Sequence, residues 1–167
     1  TCDTENETYT DAYEDFIQTI MPSWMTVTNQ LNKKLSSSTF INELDQSRFF
    51  VYLRNLKTQL QIFREENIPL SQQTQLLAQE YGSTIGAMTI EHDGNEYTLP
   101  QAAVFLQNQD RSLRKIIFEK TNNRRYQDRD KLNKLFDELL EIRHQIAQYA
   151  GFENFRDCLF AEMGRFD

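Results

Sequence analysis

Glycine and proline are scarce in this chain, five and three among 167 residues. So few breakers leave little room for the turns that a sandwich or barrel needs at every strand end, and they favour long helices. Cysteine occurs twice, at Cys2 and Cys158. Two thiols so far apart make no disulfide framework, which points to a reducing compartment and a cytoplasmic location. No apolar run nears membrane-spanning length, and the opening TCDTENETYTDAYED is acidic where a secretory leader would be basic and then greasy. Positive charge is in deficit as well. Eighteen Lys and Arg against 25 Asp and Glu give a net charge of −7, which argues against nucleic acid and against a membrane surface as partners. There is no starting Met, so the chain reads as a piece of something longer.

What is present is enough apolar material for a core: 39% hydrophobic residues, 12% aromatic. The clearest helix begins near Asp128 and Asp130, whose carboxylates suit a helix N-terminus, and stops at Gly151. Leu132, Leu135, Phe136, Leu139, Leu140, Arg143, Ile146, Ala147 and Ala150 recur along it at three- and four-residue steps, a stripe wide enough to face a core. A shorter segment follows, with Phe152, Phe155, Leu159, Phe160 and Met163 at similar steps before Gly164.

Upstream, Tyr13, Phe16, Ile17, Ile20, Met21, Trp24, Thr28, Leu31 and Leu35 hold a helical period. Pro22 sits inside it, so the spacing predicts a kink, or two abutting helices with Pro22 in the first turn of the second. Thr39 to Leu44 reads as a short helix with Phe40, Ile41 and Leu44 inward. Ser47 is placed to cap a helix running to about Glu66, buried through Phe49, Tyr52, Leu53, Leu56, Leu60 and Phe63 and closed by Asn67-Ile68-Pro69. Ser71 opens another that ends near Gly82 or Gly86. Asp93-Gly94 between two short alternating runs is a strong hairpin cue, because the tight turn needs positive φ at both positions. Pro100 and Asp110 then mark two further helix starts. The predicted architecture is mainly α: an irregular multi-helix array with one small β-hairpin insert at about residues 88–99, forming one helical domain over residues 1–167.

Chemistry-bearing residues are sparse. His92 and His144 are the two imidazoles. Glu141 and His144 form a Glu-x-x-His step, as in di-iron carboxylate bundles, but no second such pair exists and Glu141 lies off the apolar stripe. No His-Glu-x-x-His is present, so a thermolysin-like zinc site cannot be built here. The expected set of catalytic and metal-binding residues is therefore empty, and His92, at the hairpin turn, is the single candidate for touching a substrate. Arg124, Arg125, Arg129 and Lys131 read as a solvated face paired locally with Asp128 and Asp130. Arg143 is expected to reach an internal carboxylate or to snorkel, and Cys158 to point toward a packing face.

Four segments carry a resemblance: FREENIPL (Phe63 to Leu70), YGSTIGAMTIEHDGNEYTLPQAA (Tyr81 to Ala103), QDRSLRKIIFEK (Gln109 to Lys120) and EIRHQIAQYAGFENFRDCLFAEMGRFD (Glu141 to Asp167). They resemble oligoendopeptidase F, a family of zinc metallopeptidases related to thimet oligopeptidase. The resemblance implies the region before the catalytic domain, a non-catalytic N-terminal lobe that shapes the substrate channel of an enzyme hydrolysing short peptides. In that family two His of a downstream His-Glu-x-x-His and a later Glu bind zinc, and the motif Glu activates water. None of those positions lies in this sequence, so zinc is expected only in the missing catalytic domain. The implied partners are that C-terminal catalytic domain and, in the parent, short peptides. Cys158 stands where the family often has an aromatic. If the catalytic half is elsewhere, apolar surface is expected around Phe155 to Phe166.

Two other classes compete: a stand-alone helical interaction module with an apolar groove for a partner helix, and a metal-carboxylate bundle. The chain alone, with zinc added, is expected to cleave no peptide. Amidolysis above a catalyst-free control would refute that expectation.

Overall fold

The computed structural model describes residues 6–165; Cys2, Phe166 and Asp167 lie outside them. Its helices are α1 (Glu7–Asp15), α2 (Met21–Ser36), α3 (Phe50–Ile62), α4 (Asn67–Gly86), α5 (Leu99–Ala103), α6 (Arg111–Gln127), α7 (Arg129–Ala150) and α8 (Phe155–Glu162). Strands β1 (Thr89–His92) and β2 (Asn95–Thr98) form an antiparallel hairpin, so the fold is mainly α with one small hairpin. The chain divides into two compact units, one of Thr1–Thr10 with Leu77–Glu138, the other of Asp11–Leu76 with Leu139–Asp167.

The first unit is built on the hairpin. Asp93 and Gly94 take φ of 50° and 75°, as a two-residue turn with a right-handed twist demands. Register then follows, with Ile90 opposite Tyr97 and His92 opposite Asn95. Two strands alone are marginal in water. Here Met88, Ile90, Leu99, Ala102 and Ile117 bury together, with Met88 and Ile117 wholly enclosed. The Thr98 hydroxyl accepts the Gln101 N–H while the Gln101 side chain accepts the Thr98 N–H, a reciprocal box that starts α5. Asp110 caps α6 through the Ser112 N–H at 2.8 Å. Lys120 Nζ donates to the Glu91 carbonyl at 2.7 Å, fastening α6 to β1.

The second unit turns on Pro22. It stands in the first turn of α2, preceded by a π-helical stretch, Phe16–Ile20, in which the Met21 N–H donates to Phe16 O. The shift to an i−5 partner withdraws that donor from Ile17 O, and the missing proline N–H withdraws another from Gln18 O. Both carbonyls are met by one side chain: Gln72 Nε2, on α4, donates to Ile17 O at 2.9 Å and to Gln18 O at 3.1 Å. Five residues earlier, Asn67 Nδ2 donates to Ile146 O of α7 at 3.0 Å. A small core of Ala147, Ala150 and Cys158 lies under Ile62, Phe152 and Phe155. α7 and α8 both end in a glycine of positive φ, Gly151 at 87° and Gly164 at 70°. At each end the paired bonds of the six-residue C-cap are made, Phe152 N to Ala147 O with Gly151 N to Gln148 O, and Arg165 N to Phe160 O with Gly164 N to Ala161 O.

Several expectations are corrected. α4 begins at Asn67, not Ser71, because Pro69 needs no N–H partner in a first turn; the break falls instead at Phe63, whose ψ of 129° is extended. Asp45 replaces Ser47 as the residue that receives the chain before α3, its carboxylate accepting from the Ser47 hydroxyl and from the Ser47 and Arg48 N–H groups. Those bonds hold its carboxyl below the usual range. Phe40 and Tyr52 are exposed rather than inward. On α7 the buried face runs through Leu135, Leu139, Ile142, Ala147 and Ala150, and Phe136 and Leu140, about one residue's turn around the helix, face solvent.

Gln72→Ala should leave the half-buried Ile17 carbonyl unmet, while water can replace the exposed bond to Gln18 O, and should lower unfolding free energy by about 1 kcal/mol. Urea titration should show a lower midpoint with an unchanged slope.

Candidate functional site

The residues singled out by their chemistry do not converge. His92 is not an exposed turn residue: its side chain is 12% accessible, its Nε2 lies 3.4 Å from Asp93 Oδ2, and its ring meets the Phe105 edge at 5.4 Å. His144 Nε2 lies 2.9 Å from Gln148 Nε2 on the exposed side of α7, and Glu141 is exposed too. Among the described residues no group of three or more His, Cys, Asp or Glu comes together as a metal site. A catalytic zinc takes three protein ligands, so these residues do not fit that ion.

Of the basic cluster, Arg124 and Arg129 pair locally as expected, and Lys131 pairs across to α4 instead. Arg124 joins Asp128 across one turn, Arg129 joins Asp130 at 2.8 Å and stacks on Tyr126, and Lys131 reaches Glu80 at 3.3 Å. Arg143, expected to reach a carboxylate or to snorkel, is half-buried beside an aromatic ring. Its guanidinium lies 5.5 Å from the centre of the Phe155 ring, an attraction of charge to ring face.

The feature that stands out is α2, whose amphipathy is inverted. Its one buried residue is Asn29, at 7% exposure. Phe16, Ile20, Trp24, Val27 and Leu31, by contrast, are 48–68% exposed. At about 100° per residue these five fall within an arc of about 80°, one continuous apolar face on the run from the π-helical stretch through α2. The sequence period had merged this outward face with Ile17, Met21 and Thr28 of the inner one. The surface foreseen around Phe155 to Phe166 is smaller: Phe160 and Met163 are exposed, at 39% and 56%.

Behind α2 opens a cleft of about 310 Å³. Its lining mixes apolar residues, among them Trp24, Ile62, Ile146, Ala150 and Cys158, with the carboxamides of Asn29, Asn32, Gln59 and Asn67. Sequence reading missed these amides. The one available signal was their helical spacing, Asn29 with Asn32 on α2.

Comparison with known proteins places the chain. Residues 1–63 match the Peptidase M3 N-terminal domain. Among solved structures it is similar to an oligoendopeptidase F (31% identity, TM-score 0.90), to one from Bacillus anthracis str. Ames (26%, 0.91), and to PZ peptidase A with inhibitor 2 (27%, 0.90). Each match covers 99% of this chain but only 29–30% of the other. No curated protein matches it. No helix among the described residues is long and apolar enough to cross a membrane.

The cleft geometry has a chemical check at Cys158, which is 4% exposed. Burial, reinforced by the Glu162 carboxylate, raises its thiol above the ordinary 9.0. The unfolded thiol therefore deprotonates first, so its contribution to stability is full below pH 9.0 and is lost as pH rises through the folded value. In a Cys2→Ser background, iodoacetamide should label Cys158 slowly at neutral pH and rapidly in denaturant. Cys158→Ala should lessen the alkaline fall in stability.

Proposed function

We propose, from the likeness to the N-terminal region of oligoendopeptidase F-like M3 peptidases, that this chain is a non-catalytic helical lobe of a longer zinc metalloendopeptidase, acting in the cytoplasm. Its role is to dock on the catalytic body and shape the channel through which short peptides reach the metal. Zinc belongs to that body, where it would polarise the scissile carbonyl and activate water.

The observation that carries this reading is the inverted α2. A lone domain gains by burying Trp24, Phe16 and Leu31 and exposing Asn29; this one does the reverse. Such a face lowers the free energy only when something covers it. The similar structures run about three times the length of this chain, so in them the same fold has a large body of further polypeptide to meet. A net charge of −7 is also in keeping with a protein partner rather than nucleic acid.

The reading frame around the gene should continue past residue 167 into a His-Glu-x-x-His segment, and that downstream piece should co-purify with this chain when both are expressed. Trp24→Ser with Leu31→Ser should abolish co-purification while changing the stability of the chain alone by no more than about 0.5 kcal/mol, as expected for exposed positions. A frame that stops at 167, or a double variant that still co-purifies, defeats the proposal and leaves the stand-alone interaction module.

A further inference from the structure

We propose that the outward face of the run from Phe16 to Leu31 seats one antiparallel α-helix, contributed by the further polypeptide on which this lobe docks. The inference rests on the docking reading and deepens it: it names the secondary structure, the direction and the end charges of what docks.

The spacing of the stripe selects a helix. Ile20, Trp24, Val27 and Leu31, all 48–68% exposed, follow one another at steps of four, three and four. By that alternation the side chains of one helix fit between those of another. Phe16 precedes Ile20 by four, where the alternation asks for three. The segment between them, Phe16–Ile20, is π-helical, and a π turn takes up one extra residue, so Phe16 comes into line with the other four. At 1.5 Å per residue the stripe is about 22 Å long, the length of a helix of about four turns. Apart from the Trp24 indole N–H, its five side chains offer no hydrogen-bonding group. An occupant must therefore arrive with its backbone already paired. A helix does so within itself, whereas a strand or loop laid there would bury N–H and C=O groups unmet.

Charge sets the direction. From Phe16 to Asn32 there is no Asp, Glu, Lys, Arg or His, in a chain 26% charged, so covering the stripe buries no ion of this chain. Charge is kept to its two ends. Asp15 stands just before Phe16, and Lys33 and Lys34 close α2, Lys34 at the next step of the seam beyond Leu31. All three are exposed, and among the described residues none of them joins an ion pair. Helices favour acidic residues in the first turn and basic ones in the last. An antiparallel helix brings its first turn to Lys33 and Lys34 and its last turn to Asp15; a parallel one sets acid on acid and base on base. In the similar structures this fold is 29–30% of the chain, which leaves ample polypeptide to supply such a helix.

The probe is a capped peptide of about 18 residues, Leu at the alternating seam steps and Ala and Gln elsewhere, with two Glu in its first turn and two Lys in its last. Trp24, the single tryptophan, should shift its emission to the blue as the peptide saturates the chain. Val27→Lys should weaken binding at least about tenfold; Ile20→Lys serves if the first variant misfolds by circular dichroism. Carbodiimide should couple the peptide's Glu to Lys33 or Lys34, and Asp15 to the peptide's Lys. An unresponsive Trp24, equal binding by the folded variants, a bound peptide that couples at neither end, or tighter binding by a peptide with Lys first and Glu last would each overturn the proposal. So would a dimer of the chain alone that the peptide does not dissolve in sedimentation, which would give the stripe to a second copy. If the peptide fails while the downstream piece still co-purifies through Trp24 and Leu31, the helix falls and docking stands; if co-purification fails, docking itself falls, and the source of the helix with it.

Discussion

One side chain answers a problem that one proline creates. Pro22 cannot donate, and the π-helical turn before it moves the next donor away, so the Ile17 and Gln18 carbonyls lose their helical partners. Ile17 is 3% exposed, and its carbonyl left unbonded would cost about 1–3 kcal/mol, whereas Gln18 is exposed and water can serve it. The Gln72 amide, projecting from α4, binds both. The bond pair ties the π-helical stretch before α2 to α4 in a way that apolar contact alone would not, because it has direction and a fixed partner. Asn67 repeats the device five residues earlier against α7, and Tyr13 adds a weaker version, its hydroxyl 3.3 Å from Gln75.

That mode of attachment works beside an apolar interior made of separate pieces. Ala147, Ala150 and Cys158 form one small cluster, and Ile17, Leu56, Leu139 and Ile142 are buried in the same unit. Carboxamide-to-carbonyl bonds do part of the work that leucine and phenylalanine do elsewhere, and they leave space between the helices, which is the cleft. The hairpin unit is the opposite case. Met88, Ile90 and Ile117 fill its interior, and its polar bonds lie at the turn, the Thr98 box and Lys120. Two solutions to burial thus stand side by side in one chain.

How much of this could be read beforehand follows from how local each cause is. The Asp93-Gly94 turn, the Pro100 helix start, the Asp110 cap and the Gly151 stop depend on residues within a few positions of one another, and all were legible. The inward face of a helix is not local. On α2 and α7 the apolar residues span more than one face, and only the tertiary partner decides which is buried; Trp24 and Phe136 were assigned inward, yet both face solvent. The start of α4 was missed because Pro69 ends a helix or begins one with equal ease. The candidate site was less legible still. Attention to His, Cys and Glu finds catalytic chemistry, and Asn29, Asn32, Gln59 and Asn67 look like any wet helix face until the fold turns them toward each other.

The two sides of α2 stand under opposite demands. Its one buried residue is Asn29, while Trp24, Val27 and Leu31 are 48–68% exposed. Large apolar side chains left in water gain free energy when they are covered, whereas an amide already withdrawn from water gains only through the hydrogen bonds it makes. The outward stripe, and not the interior beneath it, is therefore where this helix still has free energy to gain.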